Sequence, residues 1–374
     1  MEQKIVFIGL DVDDKNFHGA YLSRDRQIKG SFKTRPNVGS LVKKIKELEV
    51  SGYEIEICYE ATHIGFSLLR DLKKHSFECS VISPNHIPKV PGSMQKTDRL
   101  DAERLAEFFS AGLLQKVFVP SEKDEAIRSL IRSRDHVTWQ IRRVKLRILG
   151  LCRVSGLHYR EASKQHHQHA NHWTQRHLKW LDSQIKNLSD PAMKMNFNLL
   201  MMNLNQLEEI QNRFDVEIQK YAEEEPYRKS VKALEAFRGI STLSALTIVV
   251  ELADIKRFDH PKRLTSFAGL DIREYSSGGR ENKFGISKMG NKYIRNRIVE
   301  ASQNVFRPPK VGKPLLERRK DVDEKIVQIA DRCMLRLHSK AFRLLHRGKN
   351  RNTIKVACAR EMLGFIWEAL QVAS

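Results

Sequence analysis

No cysteine in this chain has a partner at CxxC spacing: Cys58, Cys79, Cys152, Cys333 and Cys358 are scattered through 374 residues. That scatter excludes the common zinc ribbons and a small disulfide framework, and reads as reduced core thiols of a cytoplasmic protein. No run reaches the roughly 18 apolar residues that a bilayer-spanning helix requires, so no membrane-spanning segment is expected. The first stretch, MEQKIVFIGLDVDD, has a short apolar run followed at once by acids, without a small-residue cleavage site. It reads as a strand, not a signal peptide. Acids are also scarce relative to bases: 45 Asp+Glu face 66 Lys+Arg, a net charge of +21. A surplus of that size points to a polyanionic partner, with nucleic acid first and an anionic membrane surface second. The hydrophobic share of 41% excludes a disordered chain and supports real cores.

The chain is long enough for two or three domains, and its texture changes twice. Residues 1–117 alternate strands and helices. Lys4–Leu10, His18–Ser23, Gln27–Lys33, Glu54–Tyr59 and Cys79–Ile82 read as strands. Helices are expected from Asn37 or Ser40, over Ile64–Leu72 and over Asp98–Leu114. Residues 118–229 read as a helical, coiled-coil region. Val137, Ile141, Val144, Ile148 and Leu151 repeat at steps of four and three. A second seam runs through Leu200, Leu204, Leu207, Phe214, Ile218 and Tyr221, with Gln211 at the intervening position. An antiparallel pair, a dimer contact and an ordinary helical bundle all fit. Between the seams, HHQHANHWTQRHLKWL offers His166, His167, His169, His172 and His177. Without cysteine partners these suggest a helix start with Trp173, Leu178, Trp180 and Leu181 turned inward and the histidines outward, rather than zinc. Residues 230–374 read as a mainly helical third domain.

Chemistry concentrates in two places. Asp11 ends the apolar run IVFIGL, Glu60 ends EIEICY, and Asp98 and Asp101 lie three apart in KTDRLDAERLAEFF. Strand ends deliver side chains to a shared sheet edge, and acids at i and i+3 share a helix face. Four carboxylates gathered in this way repel unless hard divalent cations lie between them, so a Mg²⁺ site (or Mn²⁺) for phosphate chemistry is the expectation. Strands, then helices, with acids at strand ends form the ribonuclease-H-like α/β pattern. The second place is SFAGLDIREYSSGGRENKFGISKMGNKYIRNRIVEAS, glycine-rich and basic. Ser276 and Ser277 are equal candidates for a nucleophile there. Arg280, Lys283, Lys288, Lys292 and Arg295 surround them, and Arg142, Arg143 and Arg147 project from the basic helix 126–151; both sets are candidates for nucleic-acid contact, as is Arg332–Arg351. The turn Phe237–Ser241, between helices, could hold a phosphate on exposed backbone N–H groups.

Five motifs in order resemble one family. IGLDVDDK, CYEATH and KTDRLDAERLA are similar to the acidic motifs, and FAGLDIREYSSG and GISKMGNKYIR to the serine motif and the basic segment after it, of the insertion-sequence transposases that join a RuvC-like domain to a serine-bearing transposase domain. Piv-type DNA invertases are relatives, and several members are guided by a structured noncoding bridge RNA. The resemblance spans nearly the whole chain. It implies a site-specific recombinase in which Asp11, Glu60, Asp98 and Asp101 hold Mg²⁺ and Ser277 is the nucleophile of a phosphoserine intermediate. It further implies donor and target DNA as partners, a guide RNA, and a homodimer or homotetramer in which the serine of one chain reaches the acids of another. A RuvC-like junction endonuclease using water, or a basic nucleic-acid-binding protein without catalysis, would use many of the same residues.

Overall fold

The computed structural model describes residues 4–48, 53–88, 97–160, 171–275 and 282–374. The chain divides into two compact units, Met1–Pro120 and Ser121–Ser374.

The first unit is built on a five-stranded sheet. β1 (Ile5–Val12) pairs antiparallel with β2 (Phe17–Ser23), and β2 with β3 (Lys29–Thr34). On its other edge β1 runs parallel to β4 (Glu54–Glu60), which runs parallel to β5 (Glu78–Ile82). The order is therefore β3-β2-β1-β4-β5. Side chains alternate between faces along a strand, and here the alternation sorts two cores. Val6, Ile8, Leu10 and Val12 pack with Leu41 and Ile45 of α1 (Val38–Glu47) and Leu68 and Leu72 of α2 (Ser67–Lys74). Phe7 and Cys58 face the other way, against Leu105 and Phe109 of α3 (Asp98–Ser110). Side-chain caps start two of these helices. Asn37 Oδ1 accepts from Ser40 N at 2.8 Å, and Thr97 Oγ1 from Leu100 N at 3.3 Å. The cap sets the start of α3 at Asp98, and a left-handed Gly112 (φ 67°) follows its end, short of the Leu114 expected from periodicity.

In the second unit, two 33-residue helices, α4 (Glu122–Val154) and α6 (Pro191–Glu223), flank α5 (Gln175–Lys186). Their cross-links run in opposite order along the two helices: Arg134 to Asp215 (2.8 Å), Gln211 to Thr138 (2.6 Å), Lys145 to Glu208 (2.7 Å). The pair is antiparallel. Val137, Ile141 and Ile148 of α4 meet Leu200 and Leu204 of α6, with Val144, Leu151 and Leu207 partly buried beside them. His177 departs from the expected outward set. It is wholly buried among Tyr159, Trp173 and Trp180, and its Nδ1 accepts from Trp173 N at 3.1 Å. Burial, then the nearby His172, pulls its pKa down to about 4. His166, His167 and His169 lie outside the described residues.

The rest of this unit comprises α7 (Tyr227–Glu235), the apolar α8 (Thr242–Leu252), α9 (Pro261–Phe267), α10 (Lys292–Ala301), α11 (Lys313–Arg318), α12 (Glu324–His346) and α13 (Arg351–Ala373); α8 packs on α7 and α10, and α13 on α7, α9, α10 and α12. A two-stranded hairpin, β6 (Ile272–Glu274) and β7 (Lys283–Ile286), projects between α9 and α10 in the sequence.

Candidate active site

Asp11 shares the α3 face of the sheet because it lies two and four residues beyond Gly9 and Phe7 on one strand. Glu60 shares that face by the same count from Cys58, whose Sγ lies 3.9 Å from Leu105 O. Leu10 and Tyr59 are paired in the parallel register, so Asp11 and Glu60 follow side by side at the ends of adjacent strands. The strand stops at Val12, and Asp13 turns into a loop where its Oδ1 accepts from Lys15 N at 2.9 Å. Strand parity therefore gives the site to Asp11.

Gly9 delivers the other two acids. A Cβ on Gly9 would stand 2.4 Å from Ala106 N and 2.5 Å from Ala102 O. Glycine lets the backbone of α3 lie directly on β1, with buried Ala102 and Ala106 as its contact residues. The first turn of α3, carrying Asp98 and Asp101, is thereby brought beside Asp11. Acids in a first turn are favoured by the helix dipole wherever they face, so it is their effect on Asp11 that marks a site. The Asp11 carboxyl is raised above its ordinary value, by burial first, then by the charges of Asp98 and Asp101, with Glu60 adding to them and His18 opposing. His18 Nδ1 lies 3.4 Å from Asp98 Oδ2, and Arg104 Nη1 lies 3.5 Å from Asp101 Oδ1. Among the described residues no three His, Cys, Asp or Glu side chains converge closely enough to share one ion. The donor set nonetheless fits a hard divalent cation: every acid offers oxygen, and the repulsion raising Asp11 is what such a cation relieves. Thr62 Oγ1, two residues beyond Glu60, is buried without a hydrogen-bond partner.

The serine motif falls in the sequence between the two strands of the second unit's hairpin. Tyr275 N donates to Asn282 O at 2.9 Å. Ser276, Ser277 and Arg280 lie outside the described residues. The base of the hairpin is clamped. Asn291 N donates to Phe267 O at 2.7 Å and Lys288 N to Gly269 O at 3.1 Å. This contact needs two glycines: a Cβ on Gly269 (φ 65°) would meet Arg295 Nη1 at 2.6 Å, and one on Gly290 would meet Phe267 O at 2.5 Å. Arg295 Nη1 donates to Ala268 O at 2.8 Å from a partly buried position, and burial lowers its pKa.

One buried acid ties this base to the long helix. Glu251 on α8 is 4% exposed. It accepts from Arg132 Nη2 at 2.8 Å and from Asn291 Nδ2 at 2.7 Å, while Asn291 caps α10 through Tyr293 N and Ile294 N. Several cations of the basic helix are thus engaged inside the fold: Arg132 with Glu251, Arg134 with Asp215, Lys145 with Glu208. Arg142, Arg143 and Arg147 are exposed, Arg143 stacking 4.6 Å from the Trp139 ring centre. Lys288 and Lys292 are exposed, and Lys283 belongs to β7. Sequence reasoning named the four acids but missed Gly9, His18 and Glu251. Of these, only Gly9 left a local signal, an isolated glycine inside an apolar strand.

Comparison with known proteins joins the two halves. A profile described as "Transposase", for the DEDD domain, matches residues 8–153, and one described as "Transposase IS116/IS110/IS902 family" matches residues 231–314. The first spans all four acids, and the second spans the hairpin. The chain is 30% identical over 374 residues to the "Putative transposase y4qE" of Sinorhizobium fredii, covering 98% of this chain and 90% of that protein. It is 28% identical to the transposase for insertion sequence element IS1533 of Leptospira borgpetersenii, covering 90% and 95%. It is 26% identical to that for IS1111A of Coxiella burnetii, covering 74% of each. The acid-bearing sheet and the helical unit together are those of a transposase, an enzyme that cuts and rejoins DNA. The chain belongs to the IS116/IS110/IS902 family of insertion-sequence transposases.

Proposed function

We propose that the protein is a site-specific DNA recombinase that works through a phosphoserine intermediate, with a ribonuclease-H-like first unit. The observation that carries its cation-dependent part is the Asp11 carboxyl, desolvated and faced by Asp98, Asp101 and Glu60, while the serine rests on the order of the family's motifs. Such a cluster is costly to fold and is accounted for by a cation-dependent task. Asp11, Glu60, Asp98 and Asp101 would hold Mg²⁺, or Mn²⁺. When bound, the ion would offset the charge of the scissile phosphate and of the departing oxygen. Ser277 Oγ loses its proton and forms a bond to phosphorus as the bond to one sugar oxygen breaks; that oxygen takes up a proton. Attack on the phosphoserine by a sugar hydroxyl of the new partner strand restores Ser277 and joins the DNA, with no external energy source. A guide RNA, a homodimer or homotetramer holding donor and target together, and a cytoplasmic site of action complete the proposal. The surplus of positive charge supports a nucleic-acid partner.

The deciding experiment traps the covalent adduct between the protein and a cut DNA strand. Ser277→Ala should abolish adduct and rejoining while DNA binding persists. Asp11→Asn should abolish both cleavage and adduct. Normal recombination by Ser277→Ala refutes the serine assignment. Mg²⁺-dependent cleavage by that variant, without an adduct, would establish the junction-nuclease reading, with water as the nucleophile.

A further inference from the structure

Beside the β6–β7 hairpin opens a cleft of about 860 Å³ whose lining includes none of the four acids. Its volume lies inside the range of roughly 300–1,000 Å³ usual for small-ligand sites. The strands contribute Ile272 and Phe284, which are 45% and 56% exposed, and one face of α13 contributes the opposite wall. Two glycines line it, Gly285 on β7 and Gly364 inside α13. A Cβ on either would meet nothing within 4 Å, and neither has a left-handed φ. Packing within the chain therefore requires glycine at neither place. Glycine weakens a helix or strand interior relative to alanine. A glycine kept open onto a cleft is accounted for by a ligand that approaches the backbone closely. The rim is cationic, with Lys262 and Arg360 both exposed. Glu361 in the same cleft is neutralised by Lys340 at 2.6 Å and by Arg336, leaving Asp271 as the opposing acid.

We propose that this cleft takes up an unpaired nucleotide of the DNA strand next to the cut. The base lies against Gly364 with its face on Phe284, and its phosphates lie at Lys262 and Arg360. An aromatic face accepts any base by stacking, and fixed cations hold the backbone, so the site is tolerant of sequence. The choice of DNA rests on the reading of the hairpin as the carrier of the nucleophile, since the cleft shares both of its strands.

The test is the affinity of the full-length protein for a short fluorescent oligothymidylate, with duplex DNA and oligouridylate as comparisons. Phe284→Ala should weaken oligothymidylate binding about fivefold or more. Gly364→Leu should do the same by filling the cleft, and its open surroundings leave the fold intact by circular dichroism. Duplex affinity should stay within about twofold in both variants. Ser277→Ala should bind oligothymidylate as the unaltered chain does, even if that variant recombines normally and the serine assignment falls. Unchanged oligothymidylate affinity in both cleft variants overturns the proposal. So does an equal loss for duplex and single strand, or a loss confined to oligouridylate.

Discussion

At Asp11 the folded chain favours the protonated acid, because burial and then the charges of Asp98, Asp101 and Glu60 oppose ionisation. The raised folded-state pKa fixes the sign of its effect on stability. The contribution is full below the unfolded value near 3.8 and is lost as pH rises through the folded value. Asparagine imitates the protonated carboxyl. Asp11→Asn should therefore melt higher than the unaltered protein at neutral pH in chelator, with the advantage vanishing towards pH 3.5 and shrinking when Mg²⁺ is added. A lower melting temperature for the variant at neutral pH in chelator would contradict the assigned repulsion. Gly9 makes a steric demand instead. A methyl there must displace the backbone of α3 at Ala102 and Ala106, so Gly9→Ala should destabilise the first unit by about 1–3 kcal/mol in urea unfolding. Strand cleavage should fall further than stability explains, because the helix moves with Asp98 and Asp101.

At the scale of elements, the strands were legible as short runs rich in Ile, Val and Phe: one residue parity of β1 is apolar towards α1 and α2, and the other, apolar at Phe7 towards α3, ends at Asp11. The helix start at Asn37 was legible from a side chain that caps locally, whereas the Thr97 cap of α3 emerged only from the structure. What stayed hidden depends on partners far along the chain. Glu251 reads as one acid in an apolar helix, and its role exists only because Arg132, 119 residues earlier, and Asn291, 40 residues later, converge on it. His177 read as one of a polar run because the aromatic box around it forms only on packing. Ser277 was legible as a candidate only through the order of the family's motifs, since serine followed by glycine is common in turns. The Glu251 junction predicts a measurable loss. Glu251→Ala leaves a half-exposed Arg132 and the Asn291 amide without their acceptor, and should cost about 2–3 kcal/mol in denaturant unfolding. Arg132→Ala, which leaves Asn291 bonded, should cost less. Equal stability of Glu251→Ala and the unaltered protein would remove the junction from the account of how α4, α8 and α10 are held together.

For the whole molecule, a net charge of +21 overstates the cations available to DNA. Arg134 and Arg297 are held by Asp215 and Asp135, and Arg319 reaches Ala236 O and Asp331 from a buried position. Arg142, Arg143 and Arg147, by contrast, are exposed on the long helix α4, with Arg143 stacked on Trp139. Each phosphate contact releases counterions and steepens the fall of affinity with salt by about 0.9 in log–log slope. Replacing all three arginines with alanine should therefore lower the slope for duplex DNA by roughly 2–3 and weaken binding alike for all sequences. Arg297→Ala should do the reverse, leaving the salt slope within error while lowering the melting temperature, because its bonds to both Asp135 oxygens (2.7 and 2.9 Å) join α10 to α4. An unchanged slope in the triple variant would move the DNA path off this face of α4. Single-sequence loss of affinity there would instead mean that these arginines read bases.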